Sequence, residues 1–188
     1  MKLFDPIFLR TWRPYAWIVL VGFLLYFKAI FFGYTYLDDN NLILENIYFL
    51  HDISNIIAAF GQDVFRLIST ADIYYRPLMT VSLILDAQIG GAAPFIYHFT
   101  NLLIHLLGSC LVFLLLNKIG CKRELSFVFS LIFAIHPALS QAVAWIPGRN
   151  DSLMAVFALL SFIFFIDYAE RKKYGHCFCI LYFSPRDC

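Results

Sequence analysis

Two carboxylates stand side by side at Asp38 and Asp39, followed directly by Asn40 and Asn41, at the end of a long apolar run. Adjacent carboxylates at such a boundary can take a proton from an attacking hydroxyl or bind a divalent cation. The same four residues equally suit a solvated turn that ends a helix. A second polar group is His136-Pro137, with Ser140 and Gln141 one turn on and then Gly148-Arg149-Asn150-Asp151. Pro137 interrupts the helical hydrogen-bond ladder. That opens either a polar notch, where Arg149 can pair with a phosphate, or a plain kink with a polar exit loop. His98, Asn101, His105 and Ser109 recur at steps of three and four and share one helix face. Hydrogen bonding between helices is their simplest use. His98 and His105 sit about two turns apart with no carboxylate between them on that face, so no metal set is expected there. Arg76, ahead of Pro77, can hold a phosphate or pair with Asp72. The five cysteines are odd in number, and Cys177-x-Cys179 lacks the two-residue spacing of redox and zinc motifs.

These residues need a scaffold, and composition says which kind. Of 188 residues, 61% are hydrophobic and 14% charged, against roughly 25% charged in a soluble domain. A soluble fold of this size leaves about 30% of the extended chain's surface exposed. Lipid is the simpler cover for so much apolar surface. The net charge of +1 gives no sign of nucleic-acid binding. A spanning helix needs about 20 mostly apolar residues. Four stretches qualify: 14–36, 98–117, 125–146 (with Pro137 inside it) and the shorter 152–168. The expected fold is all-α, a polytopic transmembrane helix bundle in a single domain. The first stretch is too long for a signal peptide and lacks a small-x-small cleavage site, so it is expected to stay. A possible fifth stretch begins at Tyr174 and turns polar at Ser184-Pro185-Arg186-Asp187.

Charge gives the crossings a direction. Lys2, Arg10 and Arg13, then Lys118, Lys122 and Arg123, then Arg171, Lys172 and Lys173 fall in alternate loops; the other loops carry Arg66, Arg76 and Arg149. Basic residues gather on the cytoplasmic side. The N-terminus is therefore expected in the cytoplasm and the Asp38-Asp39 loop outside. Within the outer segment, Ile53, Ile56, Ile57, Phe60, Val64, Leu67, Ile68 and Ala71 form a stripe of helical period. This predicts an amphipathic helix lying in the interface. A second short helix is expected from Tyr75-Arg76-Pro77 to Ile89, ended by Gly90-Gly91 and lying flat or re-entrant.

The order of these elements resembles a known group. It is carried by the acidic pair, Tyr75-Arg76-Pro77-Leu78, the run from Tyr97 to Leu107 with Asn101-Leu102-Leu103-Ile104-His105-Leu106-Leu107, then Phe133-Ala134-Ile135-His136-Pro137 and Gly148-Arg149-Asn150-Asp151. Together they resemble the start of the membrane-embedded glycosyltransferases of the C superfamily. The nearest branch is the O-mannosyltransferase-like proteins whose membrane domain precedes tetratricopeptide repeats. The resemblance implies transfer of a sugar from a polyprenyl-phosphate carrier to a protein or glycan acceptor on the outer or lumenal side. It implies Asp38 as catalytic base with Asp39 assisting, and Arg76 and Arg149 on the leaving phosphate. His136 and Asp151 join them as substrate-binding candidates. No particular cofactor is assigned, and a divalent cation at the acidic pair stays open. Two positions depart from the pattern: Leu139 and Gln141 stand where the family has a second His and an acidic residue. The chain is expected to be the N-terminal part of a longer membrane enzyme. The alternative is a truncated, inactive membrane protein or assembly partner.

Overall fold

The computed structural model describes residues 11–36, 38–63 and 74–182, with side chains to Lys172. Helix α1, Arg13–Tyr26, starts with Pro14 in its first turn, where a missing N–H costs nothing. It tightens into a 3₁₀ turn over Phe27–Phe31, and Phe32 is extended. The first apolar stretch is therefore helical to Phe31 rather than Tyr36. A π turn at Asn40–Leu44 and the single turns α2, Ile47–Leu50, and α3, Asn55–Ala58, follow. Helix α4 is Pro77–Gly90 and α5 is Pro94–Lys118. Helix α6, Arg123–Ile135, ends at His136; after a 3₁₀ turn at Pro137–Leu139, α7 takes Ser140–Ala144. A last 3₁₀ turn, Ile146–Gly148, leads into α8, Arg149–Tyr182.

Among the described residues, three helices are long and apolar enough to cross a membrane: 19 residues from Arg13 to Phe31, 25 from Pro94 to Lys118 and 27 from Ile146 to Lys172. A fourth forms if α6 and the segment Pro137–Ala144, bent by 50° at His136, count as one. The bend is where Pro137 removes a donor from the ladder and drives the preceding residue extended; His136 has φ −66° and ψ 127°.

Helix α5 is the axis of the bundle. Tyr15 meets Phe113 edge-on at 4.9 Å and Tyr26 meets His105 at 5.5 Å, so α1 runs antiparallel to it. Phe127 packs on Phe113, and His105 Nε2 lies 3.0 Å from the Ala134 carbonyl, which sets α6 antiparallel as well. Helix α8 returns along the opposite side, with Lys118 paired to Asp167 at one end and Asn101 bonded to the Trp145 carbonyl at the other. One end of the bundle thus carries Lys118, Lys122, Arg123 and Arg171. The other carries the acidic pair, α4 and the residues from His136 to Asp151.

At that acidic end a cluster of Leu42, Ile43, Leu50, Met79, Leu83, Ile84, Tyr97 and Ile146 fuses the π turn, α4 and α5. Large apolar side chains such as Leu24, Phe31, Phe164 and Tyr168 are left bare on the outside, as lipid contact requires. Helix α4 ends because Gly91 adopts φ +58°, which only glycine takes freely, and its N–H caps the Ala87 carbonyl.

Two sequence expectations change here. The interfacial helix from Asp52 to Ala71 is not continuous. Helix α3 lasts one turn, a 3₁₀ turn follows at Ala59–Gly61, and Gln62 is extended with φ −136° and ψ 153°. Ile53, Ile57 and Phe60 are exposed. Ile56 and Ala59 do pack on the core, but a stripe buried only in part supplies little to hold a short helix. Residues 64–73 lie outside the described residues. Second, the possible fifth span from Tyr174 is not a separate element, since α8 runs unbroken to Tyr182; Gly175 alone does not end it.

Candidate active site

The acidic pair divides its labour. Asp39 is wholly buried. Its Oδ2 accepts hydrogen bonds from the Thr35 N–H and the Thr35 hydroxyl, both at 2.7 Å, closing a turn over residues 35–39. Its Oδ1 is buried with no hydrogen-bond partner among the described residues. Asp38 is only partly buried and makes no hydrogen bond or ion pair among the described residues. Tyr34 braces the same turn by donating its hydroxyl to the Ala92 carbonyl at 2.7 Å. Burial, and after it the Asp39 charge, pushes the Tyr34 phenol up to about 12.

Arg149 sits at the first residue of α8 and is 0% exposed. Its Nε donates to Asn101 Oδ1 at 2.7 Å, Nη1 to Ser82 Oγ at 3.1 Å and Nη2 to the Tyr97 carbonyl at 2.8 Å. Nη2 also lies 2.6 Å from Asp86 Oδ2, and Thr100 donates to Asp86 Oδ1 at 2.7 Å. Asn101 in turn donates to the Trp145 and Ile146 carbonyls at 3.0 and 3.3 Å, a second bond for carbonyls that also accept the Gly148 and Arg149 N–H groups. The expected phosphate contact is thus enclosed by protein, its donors committed to α4 and α5. The pairing of Arg149 with Asp86 is not among the sequence expectations. A carboxylate in an apolar helix was a signal that some cation must meet it. Lys28 is exposed.

Arg76 is partly buried, with its guanidinium 5.3 Å from the centre of the Tyr74 ring. It makes no ion pair among the described residues; Asp72, the partner considered from sequence, lies outside them. Arg76 lines a cavity of about 210 Å³ whose other wall is Asn150, Leu153, Met154 and Phe157 of α8. His136 is exposed, and its Nδ1 accepts the Ala138 N–H at 3.2 Å, so the ring caps the turn at the bend. That bond leaves the ring proton on Nε2. Asp151 is exposed in the first turn of α8 and lines a separate cavity of about 60 Å³ with His105, Leu139 and Ser152.

The fold therefore brings Asp38, Asp39, Arg76, His136, Arg149 and Asp151 to one end of the bundle, but not into one pocket. The two cavities share no residue, and neither is lined by the acidic pair. Among the described residues no three His, Cys, Asp or Glu side chains are grouped to hold a metal ion.

Comparison with known proteins points one way. The chain is 36% identical over 111 residues to protein O-mannosyl-transferase TMTC1 of Mus musculus, covering 58% of this chain and 12% of that protein. Against Tmtc1 of Drosophila melanogaster it is 28% identical over 157 residues, 82% of this chain and 18% of the relative. Against TMTC3 of Homo sapiens the figures are 29% over 141 residues, 73% and 15%. The chain spans less than a fifth of the length of each of these relatives. No family model matches it, and no solved structure matches it.

Proposed function

We propose that this chain is the N-terminal part of a membrane glycosyltransferase that moves a sugar from a polyprenyl-phosphate carrier to an acceptor hydroxyl on the outer or lumenal side. The similarity to proteins named O-mannosyl-transferases supports mannose as the sugar and protein as the acceptor. The observation that carries the donor assignment is the Arg76 cavity. It joins a guanidinium without an ion pair among the described residues to a wall of Leu153, Met154 and Phe157 on a helix long enough to cross a membrane. A phosphate with an isoprenoid tail has that same division: an anion for the guanidinium and hydrocarbon for the apolar helix.

The chemistry follows from the charges. The acceptor oxygen attacks the anomeric carbon, the bond from that carbon to the phosphate oxygen breaks, and the electron pair leaves on the phosphate. The acceptor proton passes to Asp38, whose carboxylate is partly open and unengaged. Asp39, gripped by Thr35, holds the turn on which Asp38 sits. Arg76 steadies the charge that grows on the leaving phosphate. Arg149 acts at a distance, fixing α4, and with it the Arg76 end, against α5 and α8. The basic loops face the cytoplasm and the acidic end faces out.

The test is binding of radiolabelled polyprenyl phosphate to the chain in nanodiscs, beside the phosphate-free polyprenol. The phosphate form should bind tighter, and Arg76→Gln should weaken it by roughly tenfold, the equivalent of one charge-assisted hydrogen bond. Equal binding of the two lipids would overturn the assignment.

A further inference from the structure

Asp39 Oδ1 and His98 Nδ1 are both sealed from solvent and both lack a hydrogen-bond partner among the described residues. Asp39 is 0% exposed and His98 1%. The two side chains flank the same short stretch of backbone. Asp39 Oδ2 holds Thr35, and His98 Nε2 lies 3.5 Å from the Gly33 carbonyl oxygen. Phe32 covers the His98 ring edge-on at 6.2 Å.

A buried carboxylate oxygen without a donor is costly, and so is a buried ring nitrogen. A neutral imidazole carries one N–H, on either nitrogen. With the proton on Nε2, the N–H reaches Gly33 at the outer limit of hydrogen-bond distance, and two buried acceptors, Nδ1 and Oδ1, are left without a donor. Asp39 Oδ1 and His98 Nδ1 make no direct hydrogen bond to each other. With the proton on Nδ1, the ring becomes the donor that Oδ1 lacks, across one bridging water. Gly33 is exposed, so its carbonyl can turn to solvent. This arrangement serves Nδ1 and Oδ1 together at the cost of the long Nε2 contact to Gly33.

We propose that His98 is a positioning residue for the acidic pair, carrying its proton on Nδ1 and directing it to Asp39 Oδ1, so that Asp39 is fixed and Asp38 is presented as the one free carboxylate. The last step rests on the reading of Asp38 as base; the His98–Asp39 pairing does not. With both oxygens engaged, Asp39 is held out of proton transfer.

Isosteres separate the two ring nitrogens. The amide nitrogen of Asn falls near Nδ1 and that of Gln near Nε2. In the 188-residue chain in nanodiscs, nitrogen NMR of ¹⁵N-histidine should show His98 Nδ1 protonated and Nε2 bare. Thermal unfolding should rank wild type and His98→Asn above His98→Gln and His98→Leu. In a longer chain that carries this region and transfers sugar, His98→Asn should keep most of kcat. The Gln and Leu variants should lose roughly tenfold in kcat with the donor KM unmoved. A bare Nδ1, or His98→Gln outperforming His98→Asn, would overturn the pairing. A protonated Nδ1 with the Asn-over-Gln ranking, in a longer chain that transfers no sugar, would keep the pairing and remove the transferase reading.

Discussion

The Asp86 carboxylate lies 2.6 Å from the Arg149 guanidinium, joining α4 to the first residue of α8. Asp86 is 3% and Arg149 0% exposed. Taking both charges out of water is expensive, and their attraction is helped to offset that by the hydrogen bonds from Arg149 to Asn101, Ser82 and Tyr97. The arrangement ties α4, α5 and α8 together at the point where the chain between α6 and α8 is broken by Pro137.

Removing one partner should therefore hurt more than removing both. Asp86→Asn or Arg149→Met alone leaves a buried charge without its counter-ion and should lower unfolding free energy by about 3 kcal/mol. The double variant Asp86→Asn/Arg149→Met should lose clearly less than the two single losses combined. Equilibrium unfolding in mixed micelles measures this, and strict additivity would show that the pair is not coupled.

How much of this was legible in the sequence depends on whether a feature is local. The apolar runs, the Pro137 break and the Gly90-Gly91 stop declare themselves within a few residues, because length, a missing donor and a positive φ are local requirements. The placement of the acidic end opposite Lys118 and Lys122 also follows from alternation of charge. The partner of Asp86 was not legible, since the pair joins residues far apart in sequence. Nor was the use of Asn101, whose helical stripe announced hydrogen bonding but not that the Trp145 and Ile146 carbonyls would receive it. The stripe from Ile53 misled because amphipathic period alone does not provide a surface to bury against. At the candidate site, the type and end of each residue could be read, but not that Arg149 would be enclosed while Arg76 lines a cavity.

Two glycines should respond differently to the same change. A Cβ on Gly148 would stand 2.6 Å from the Gln141 carbonyl oxygen and 3.0 Å from Ala142 Cα, both backbone atoms. A Cβ on Gly22 would stand 2.6 Å from Leu106 Cδ2, the tip of a flexible side chain. Gly148→Ala must push α7 away from the turn that leads into Arg149, and a loss of about 2 kcal/mol is expected. Gly22→Ala should cost under about 1 kcal/mol once Leu106 changes rotamer. Thermal unfolding of the two variants side by side decides it; equal losses would contradict the packing described here.

Tyr34 offers a pH signature of the turn that carries Asp38. Its phenol is pushed up to about 12, chiefly by burial and then by the Asp39 charge. The neutral form is thus favoured in the folded state. Its stabilising contribution is complete below the ordinary tyrosine value and fades as pH rises through the folded one, roughly from 10 to 12. The ultraviolet difference between wild type and Tyr34→Phe should show a phenol titrating near the top of that window. Asp39→Asn should move it downward by removing the neighbouring charge. A Tyr34 that titrates with the ordinary tyrosines would mean that the turn is open to water.

The orientation of the bundle can be read with single cysteines. His136 is exposed at the acidic end, and Cys121 is partly buried in the loop at the basic end beside Lys122 and Arg123. The antiparallel packing of α5 and α6 puts these two positions on opposite sides if the helices cross a bilayer. In a cysteine-free background, a cysteine at position 136 should react with an impermeant maleimide added outside intact cells. The native Cys121, restored alone, should react only after permeabilisation. The basic residues at the Cys121 end are the physical reason, because they resist translocation during insertion. Labelling of both positions from outside would show that α6 and α7 form a re-entrant pair rather than a broken span. Labelling of Cys121 alone would reverse the orientation and place Asp38, Arg76 and the proposed transfer on the cytoplasmic face.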